Sequence, residues 1–189
     1  MKKIILASTS PRRKALLEQI GIEFDIDTAD TDENIGGTYS PAEYVELLSY
    51  KKAEAVAKKR PEDIVLGADT VVVFDGMILG KPEDEEDAYR MLSLLSGKTH
   101  EVYTGVTILS PRAGVRHRDT FHVKTGVVMY DNEPDLIRDY IRSHEPMDKA
   151  GAYGIQGRGA VLVKEIRGDY YNVMGLPVAE VFRHLKAIY

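Results

Sequence analysis

Ile64-Val-Leu-Gly-Ala-Asp-Thr-Val-Val-Val-Phe-Asp-Gly76 reads as an apolar run, an interruption, a second apolar run and a turn. Ile64 to Gly67 and Thr70 to Phe74 form a strand pair or one bent strand. Asp75-Gly76 is a hairpin dipeptide, because a tight primed turn requires φ > 0 at its central positions. Hairpins join antiparallel strands, whereas the rest of the chain alternates strand with helix as parallel sheets do. The expected fold is therefore α/β, with a mixed sheet and flanking helices.

Upstream of this stretch, Lys3 to Ala7 is a short apolar strand. Ser10 then caps a helix with Pro11 at its first position, and that helix turns Leu16, Leu17 and Ile20 to a core before stopping at Gly21. Glu23 to Thr28 can form a second strand. Asp30 to Thr38 is a polar loop carrying Gly36-Gly37. Ser40-Pro-Ala-Glu43 is a capping box that opens a long helix running to about Lys59. Downstream, Glu83 to Leu95 is a helix with Ala88, Met91, Leu92 and Leu95 on one face, closed by Ser96-Gly97. Strands from about His100 to Leu109 and Arg118 to Val128 flank a turn at 110–117. A helix starting at Asn132-Glu-Pro-Asp135 runs to about Ser143. Ala160 to Ile166 is the last strand, with Arg167-Gly168 as its turn, and Gly175-Leu-Pro177 opens the last helix. No repeat, low-complexity tract or linker divides residues 1–189, which read as a single domain.

The composition is that of an ordinary soluble globular chain, 43% hydrophobic and 29% charged. No apolar run is long enough to span a bilayer, and Met1 to Ala7 is too short in its apolar part to be a signal peptide. The absence of cysteine removes disulfides, thiolate zinc sites and cysteine nucleophiles, and it fits the cytoplasm. A net charge of −5 argues against nucleic acid and anionic membranes as partners. A small phosphorylated ligand stays compatible, since it needs only a local group of cations.

Several clusters supply those cations. Ser8, Ser10, Arg12 and Arg13 lie where a strand ends and a helix begins, so hydroxyls, guanidinium forks and unpaired N–H groups converge there. Cations in a first helical turn oppose the macrodipole, so Arg12 and Arg13 have a reason other than helix stability. Val45, Leu48, Lys52 and Val56 follow helical spacing, which turns Lys52 to the apolar face, where it either snorkels or meets an anion. Lys51 has no such conflict. Asp69 interrupts the apolar stretch and is either paired, metal-bound, a general base at a cleft, or a turn aspartate bonded to its own backbone. Pro82 constrains Lys81. Glu33 is a candidate second carboxylate, with Asp30 and Asp32 equally eligible by chemistry. The five histidines show no ligand spacing.

Glu145 to Gly159 completes the set. This loop carries Asp148, Lys149, Gln156 and Arg158 among Gly151, Gly154, Gly157 and Gly159. Glycines at this density allow φ > 0 and close backbone approach to a bound molecule. With Ser8 to Arg13 and Gly67 to Thr70, the loop reads as part of a nucleotide site.

Taken together, Ala7-Ser-Thr-Ser-Pro-Arg-Arg13, Lys52-Ala53, Gly67-Ala-Asp-Thr70, Gly80-Lys-Pro82, Leu95-Ser-Gly97 with His100, Glu145 to Gly159 and Gly168 to Pro177 closely resemble the Maf family of nucleoside triphosphate pyrophosphatases, also called septum-formation inhibitor Maf proteins. The resemblance spans nearly the whole chain. It implies a long twisted mixed sheet with two lobes around a cleft, similar to the inosine triphosphate pyrophosphatases. It implies a hydrolase that splits a nucleoside triphosphate into monophosphate and pyrophosphate with a divalent cation, Mg2+ or Mn2+. On this resemblance Asp69 is the proton acceptor, Ser8, Arg13, Lys52 and Lys81 handle phosphate, and Glu33 joins Asp69 at the metal. Arg12, Thr70 and Gln156 match members acting on dTTP and UTP, and a glutamine amide suits the O4/N3–H edge of uracil or thymine. A nucleotide-binding regulator of septum formation with little turnover stays open, as does a homodimer. So does an inosine or xanthosine triphosphate pyrophosphatase, although Thr70 with Gln156 speaks against it.

Overall fold

A computed structural model describes residues 3–112 and 114–188. In chain order the elements are β1 (Ile4–Leu6), α1 (Pro11–Gln19), β2 (Asp25–Ile26), α2 (Pro41–Ala57), β3 (Ile64–Phe74), β4 (Met77–Leu79) and α3 (Glu85–Leu95). There follow β5 (Thr99–Arg112), β6 (Val115–Met129), α4 (Pro134–Ile141), three 3-10 turns, β7 (Val163–Arg167), α5 (Tyr170–Met174) and α6 (Val178–Lys186). The sheet order is β2-β1-β3-β5-β6-β7, with β4 pairing to β3.

The sheet is mixed, as Asp75-Gly76 requires. β1 pairs in parallel with both β2 and β3, while β3–β4 and β6–β7 are antiparallel. Asp75 and Gly76 both take positive φ, 50° and 77°, in the turn that returns Phe74 to Met77. β3 is one continuous strand through Asp69, which selects the single-strand reading over a strand pair.

The chain forms two compact units. The first comprises residues 1–69, 104–123 and 175–189, and the second residues 70–103 and 124–174. Ile5, Ala53, Val56, Val65 and Leu109 pack together in the first. In the second, Val72, Ala88, Met91, Leu92, Leu95, Ile137 and Leu162 belong to a larger apolar cluster.

Local signals account for most element ends. At α2 the Ser40 hydroxyl accepts the Glu43 N–H and the Glu43 carboxylate accepts the Ser40 N–H, a reciprocal capping box. At α3 the Asp84 carboxylate accepts the Asp87 N–H at 2.7 Å. Other ends differ from expectation. The turn at 110–117 is shorter, because β5 reaches Arg112 and β6 begins at Val115; Ala113 lies outside the described residues. The strand placed at 160–166 begins only at Val163, since Gly157–Leu162 winds as a 3-10 turn. Tyr170–Met174 is a helical turn that local patterning does not predict, since five residues carry too little periodicity to announce it.

Candidate active site

Helix α2 and strand β3 build the centre of the site. Val45, Leu48, Ala53 and Val56 of α2 are buried, which fixes the face on which Lys52 must lie. Its ammonium does not snorkel to solvent. It donates to Asp69 Oδ1 at 2.6 Å and stands 2.9 Å from Glu33 Oε1. The side chains of Lys52 and Asp69 are only 17% and 11% exposed, against 61% for Glu33. A half-buried ammonium between two carboxylates is the compensated arrangement that burial of charge demands.

The acidic residues of the polar loop differ in their partners. Asp32 accepts the Asn34 N–H at 2.9 Å in a local turn, and its carbonyl receives the Lys51 ammonium at 3.0 Å. Glu33 is the residue whose carboxylate reaches Lys52.

At the start of α1, Ser10 occupies the cap position but its hydroxyl makes no capping bond. Ser8 takes on part of that work. Its hydroxyl oxygen accepts the Ser10 N–H and an Arg13 N–H, each at 3.2 Å. Arg13 also donates Nε–H to the Gly175 carbonyl at 2.8 Å, which pins the guanidinium. Burial lowers the Arg13 pKa most. The opposing charge of Asp69 raises it, Arg12 lowers it further and Glu33 raises it. These influences show that Asp69, Glu33, Arg12 and Arg13 share one electrostatic environment, in which Arg13 stays protonated.

Sequence reasoning overlooked Tyr44. Burial raises its phenol pKa, the charges of Asp69 and Glu33 raise it further, and Lys52 opposes them. The signal was present: Tyr44, Leu48 and Lys52 follow one another at four-residue spacing along α2.

The remaining expected site residues lie in the second unit. Thr70 follows Asp69 in β3 and is half-buried, while Lys81 is exposed beside a buried Pro82. The Gly80 carbonyl accepts the Gly151 N–H at 2.9 Å, so the Lys81 segment is tied to the glycine-rich loop. Gln156 is exposed at the head of the 3-10 turn Gly157–Leu162.

The loop glycines make room for the chain itself. A Cβ on Gly159 would lie 2.2 Å from the Gly154 carbonyl oxygen, and one on Gly157 would lie 2.7 Å from the Glu145 carboxylate. The chain itself fills the space the glycines vacate. Glu145 organises this knot: it accepts N–H groups from Arg158 and Gly159 at 2.9 and 3.2 Å and the Tyr140 hydroxyl at 3.1 Å. Burial raises the Glu145 carboxyl, but these donors together with Lys149 hold its pKa below the usual value. The Tyr140 oxygen in turn accepts the Gly154 N–H at 3.0 Å. Lys149 donates to the Glu145 carbonyl at 2.5 Å and the Asp148 carboxylate at 2.7 Å, with 13% of its side chain exposed. Arg158 enters through its backbone.

His100, His122 and His184 take structural places, whereas His117 and His144 are exposed. His122 pairs with Glu46 at 2.7 Å and His184 with Asp119 at 2.6 Å. His100 is buried against the Tyr153 hydroxyl at 2.6 Å, and burial lowers its pKa to about 4. Among the described residues no group of three or more His, Cys, Asp or Glu side chains is placed to hold a metal ion, and no helix is long and apolar enough to cross a membrane.

Known proteins place these features in context. A dTTP/UTP pyrophosphatase of Bacillus cereus (strain G9842) is 52% identical over 98% of this chain and 95% of its own length. One from Bacillus cytotoxicus is 52% identical over the same shares. The structure of the Staphylococcus aureus Ham1 protein superposes with a TM-score of 0.50 at 18% identity, covering 70% of this chain and 74% of that one, a likeness of fold alone. The family model described as Maf-like protein matches residues 3–188, and the chain belongs to the Maf family.

Proposed function

We propose that this protein hydrolyses dTTP and UTP to the nucleoside monophosphate and pyrophosphate. The observation that carries the reading is the Lys52 ammonium held between Asp69 and Glu33, 2.6 and 2.9 Å away, in a chain half-identical to dTTP/UTP pyrophosphatases. Water adds to phosphorus, the bridging Pα–O–Pβ bond breaks, and the bridging oxygen leaves with pyrophosphate. Asp69 accepts the proton of the attacking water, since it is the buried carboxylate of the site. Charge accumulates on the phosphate oxygens during this step, and fixed cations stabilise it. Lys52 and Arg13 supply those cations, together with Ser8 and Arg12 of the same unit, and Lys81 is assigned to the phosphates as well.

The carboxylates also fit a divalent cation. Mg2+ is held by one or two carboxylates together with substrate phosphates and retained waters, so Asp69 and Glu33 are a sufficient protein contribution. Mg2+ or Mn2+ bound there would neutralise phosphate charge and acidify a water. Lys52 keeps the two carboxylates compensated when no cation is bound. Gln156 is assigned to the base, where its amide donates to O4 and accepts from N3–H of uracil or thymine, with Thr70 alongside. We further read the chain as a single catalytic domain of the cytoplasm, consistent with its lack of cysteine.

The test is kcat/KM for UTP, dTTP and CTP, scored by pyrophosphate release with metal present, in wild type and Gln156→Ala. Cytosine offers an amino donor where uracil has O4, so wild type prefers UTP and dTTP, and the variant loses that preference more than it loses overall rate. An unchanged UTP/CTP ratio with all three rates lowered would move base recognition to another residue. No pyrophosphate from any nucleotide would refute the hydrolase.

A further inference from the structure

Helix α2 meets the sheet at two places where no side chain intervenes. On β3, a Cβ at Gly67 would lie 2.4 Å from the Ser49 carbonyl oxygen and 2.8 Å from the Ala53 nitrogen. On β5, the neighbouring strand, a Cβ at Gly105 would lie 2.3 Å from the Val45 carbonyl oxygen and 2.7 Å from the Glu46 nitrogen. Val45, Ser49 and Ala53 are one stripe of α2 at four-residue spacing, so the helix backbone rests directly on two adjacent strands.

Strand periodicity gives these contacts a consequence. Residues two apart on a strand share a face, so Asp69 projects toward α2 beside Gly67, and Thr107 does so beside Gly105. Both reach the helix. Asp69 meets Lys52, the residue before Ala53, and Thr107 meets the Ser49 hydroxyl at 2.9 Å. The hydroxyl contact continues as a relay. Arg118 Nε–H donates to Thr120, and the Thr120 and Thr107 oxygens lie 3.0 Å apart. Ser49 donates to the Glu46 carbonyl at 2.8 Å. Each hydroxyl has one proton, so the only fully satisfied order runs Arg118, Thr120, Thr107, Ser49, Glu46. The depth of α2 is thus fixed by backbone contact at two glycines and locked by a directional hydrogen-bond chain.

We infer that Gly67 and Gly105 are positioning residues for the Lys52–Asp69 pair. They set the height of α2 above the sheet, and that height sets the separation of the ammonium from the carboxylate. This rests on reading Lys52 and Asp69 as the phosphate-handling and proton-accepting pair. A methyl group at Gly105 forces the helix backbone back by about 1 Å to restore ordinary contact, and a misplacement of that size can lower a rate by about 10²-fold.

The experiment compares Gly105→Ala and Gly67→Ala with Val56→Ala, which removes buried volume from the same helix without lifting it. Crystal structures give the Lys52–Asp69 distance, and steady-state kinetics give kcat and KM. The expected result is a lengthened Lys52–Asp69 contact and a kcat loss of about 10²-fold in the glycine variants, with KM changing far less. Val56→Ala is expected to lower Tm while keeping kcat and the contact. Thr107→Val, which breaks the relay without a clash, gives a smaller kcat loss in the same sense and serves if a glycine variant does not fold. An unchanged contact and kcat in the glycine variants overturns the inference, as does an equal kcat loss in Val56→Ala. An Asp69→Asn variant with wild-type turnover would instead overturn the reading of the site itself.

Discussion

The Lys52–Asp69 pair of the first unit and the His100–Tyr153 pair of the second are buried by opposite strategies. In the first, Lys52 and Asp69 are buried as ions in contact, with Glu33 closing the arrangement from a more exposed position. In the second, His100 and Tyr153 are buried as a neutral pair, edge to face with 5.3 Å between ring centroids. The loop charge of Glu145 is meanwhile consumed by backbone N–H groups. Ions held in reserve can be handed to a charged substrate. Neutral pairs and charges spent on backbone stabilise shape but offer nothing to phosphate. On the proposed reading the reactive chemistry belongs to the α2–β3 pairing, while Glu145 ties the glycine-rich loop together, with Gln156 exposed at its head.

The sharpest way to break this contrast is Asp69→Asn. Asparagine keeps the shape but removes basicity and charge, so turnover should fall by about 10⁴-fold, the upper range for loss of a general base. Cooperative thermal unfolding should persist. Pyrophosphate release and a melting curve on the same sample decide it, and a near wild-type rate would return Asp69 to a structural role.

Lys52→Ala follows, with an expected kcat loss of about 10²-fold, comparable to removing one preorganised transition-state donor. Lys51→Ala should keep the wild-type rate, because its ammonium donates to the Asp32 carbonyl rather than to a carboxylate of the site. Equal losses at the two lysines would erase the distinction between a cation paired with carboxylates and one bonded to a carbonyl.

For the second unit the test is acid sensitivity. Burial depresses the His100 pKa to about 4 in the folded state, below the ordinary 6.5. The unfolded chain therefore binds the extra proton first as pH falls, and stability drops between pH 6.5 and 4. The full difference is about 3 kcal/mol, and it stops growing below pH 4 because both states are then protonated. Urea unfolding of wild type and His100→Gln across this window should show the variant lacking that slope. Parallel pH profiles would mean that His100 is not buried neutral.

Glu145→Gln is the mildest change. It removes a charge that accepts two backbone N–H groups and the Tyr140 hydroxyl, at a cost of about 1–2 kcal/mol for weakened charge-assisted bonds. The midpoint of urea unfolding measures it. A variant as stable as wild type would show that the loop holds its form without the carboxylate.

Much of this was legible from local signals. Asp75-Gly76 called for a hairpin and therefore a mixed sheet, and Ser40 with Glu43 called for the start of α2. Val45, Leu48 and Val56 turned Lys52 inward. Each of these follows from residues within a few positions of one another, which is why chain order alone sufficed. The glycines of 151–159 were less informative for the same reason. Glycine records that something comes close, and the sequence does not say whether that is a ligand or, as at Gly159, the chain's own carbonyl.

By itself the sequence determined most of the elements, the face of α2 that carries Lys52, the interruption of β3 by Asp69 and membership of a family. Helical and strand periodicity plus short capping and turn motifs are enough for that, since they depend on backbone geometry common to all chains. Tertiary structure alone decided that Glu33 rather than Asp32 or Asp30 reaches Lys52, and that Tyr44 joins the same field. It also decided that Gly67 and Gly105 let α2 down onto the sheet and that Glu145 knots its own loop. Partners distant in sequence are chosen by distances of a few ångströms between packed elements. Periodicity fixes the direction in which a side chain points, but only packing fixes what it meets.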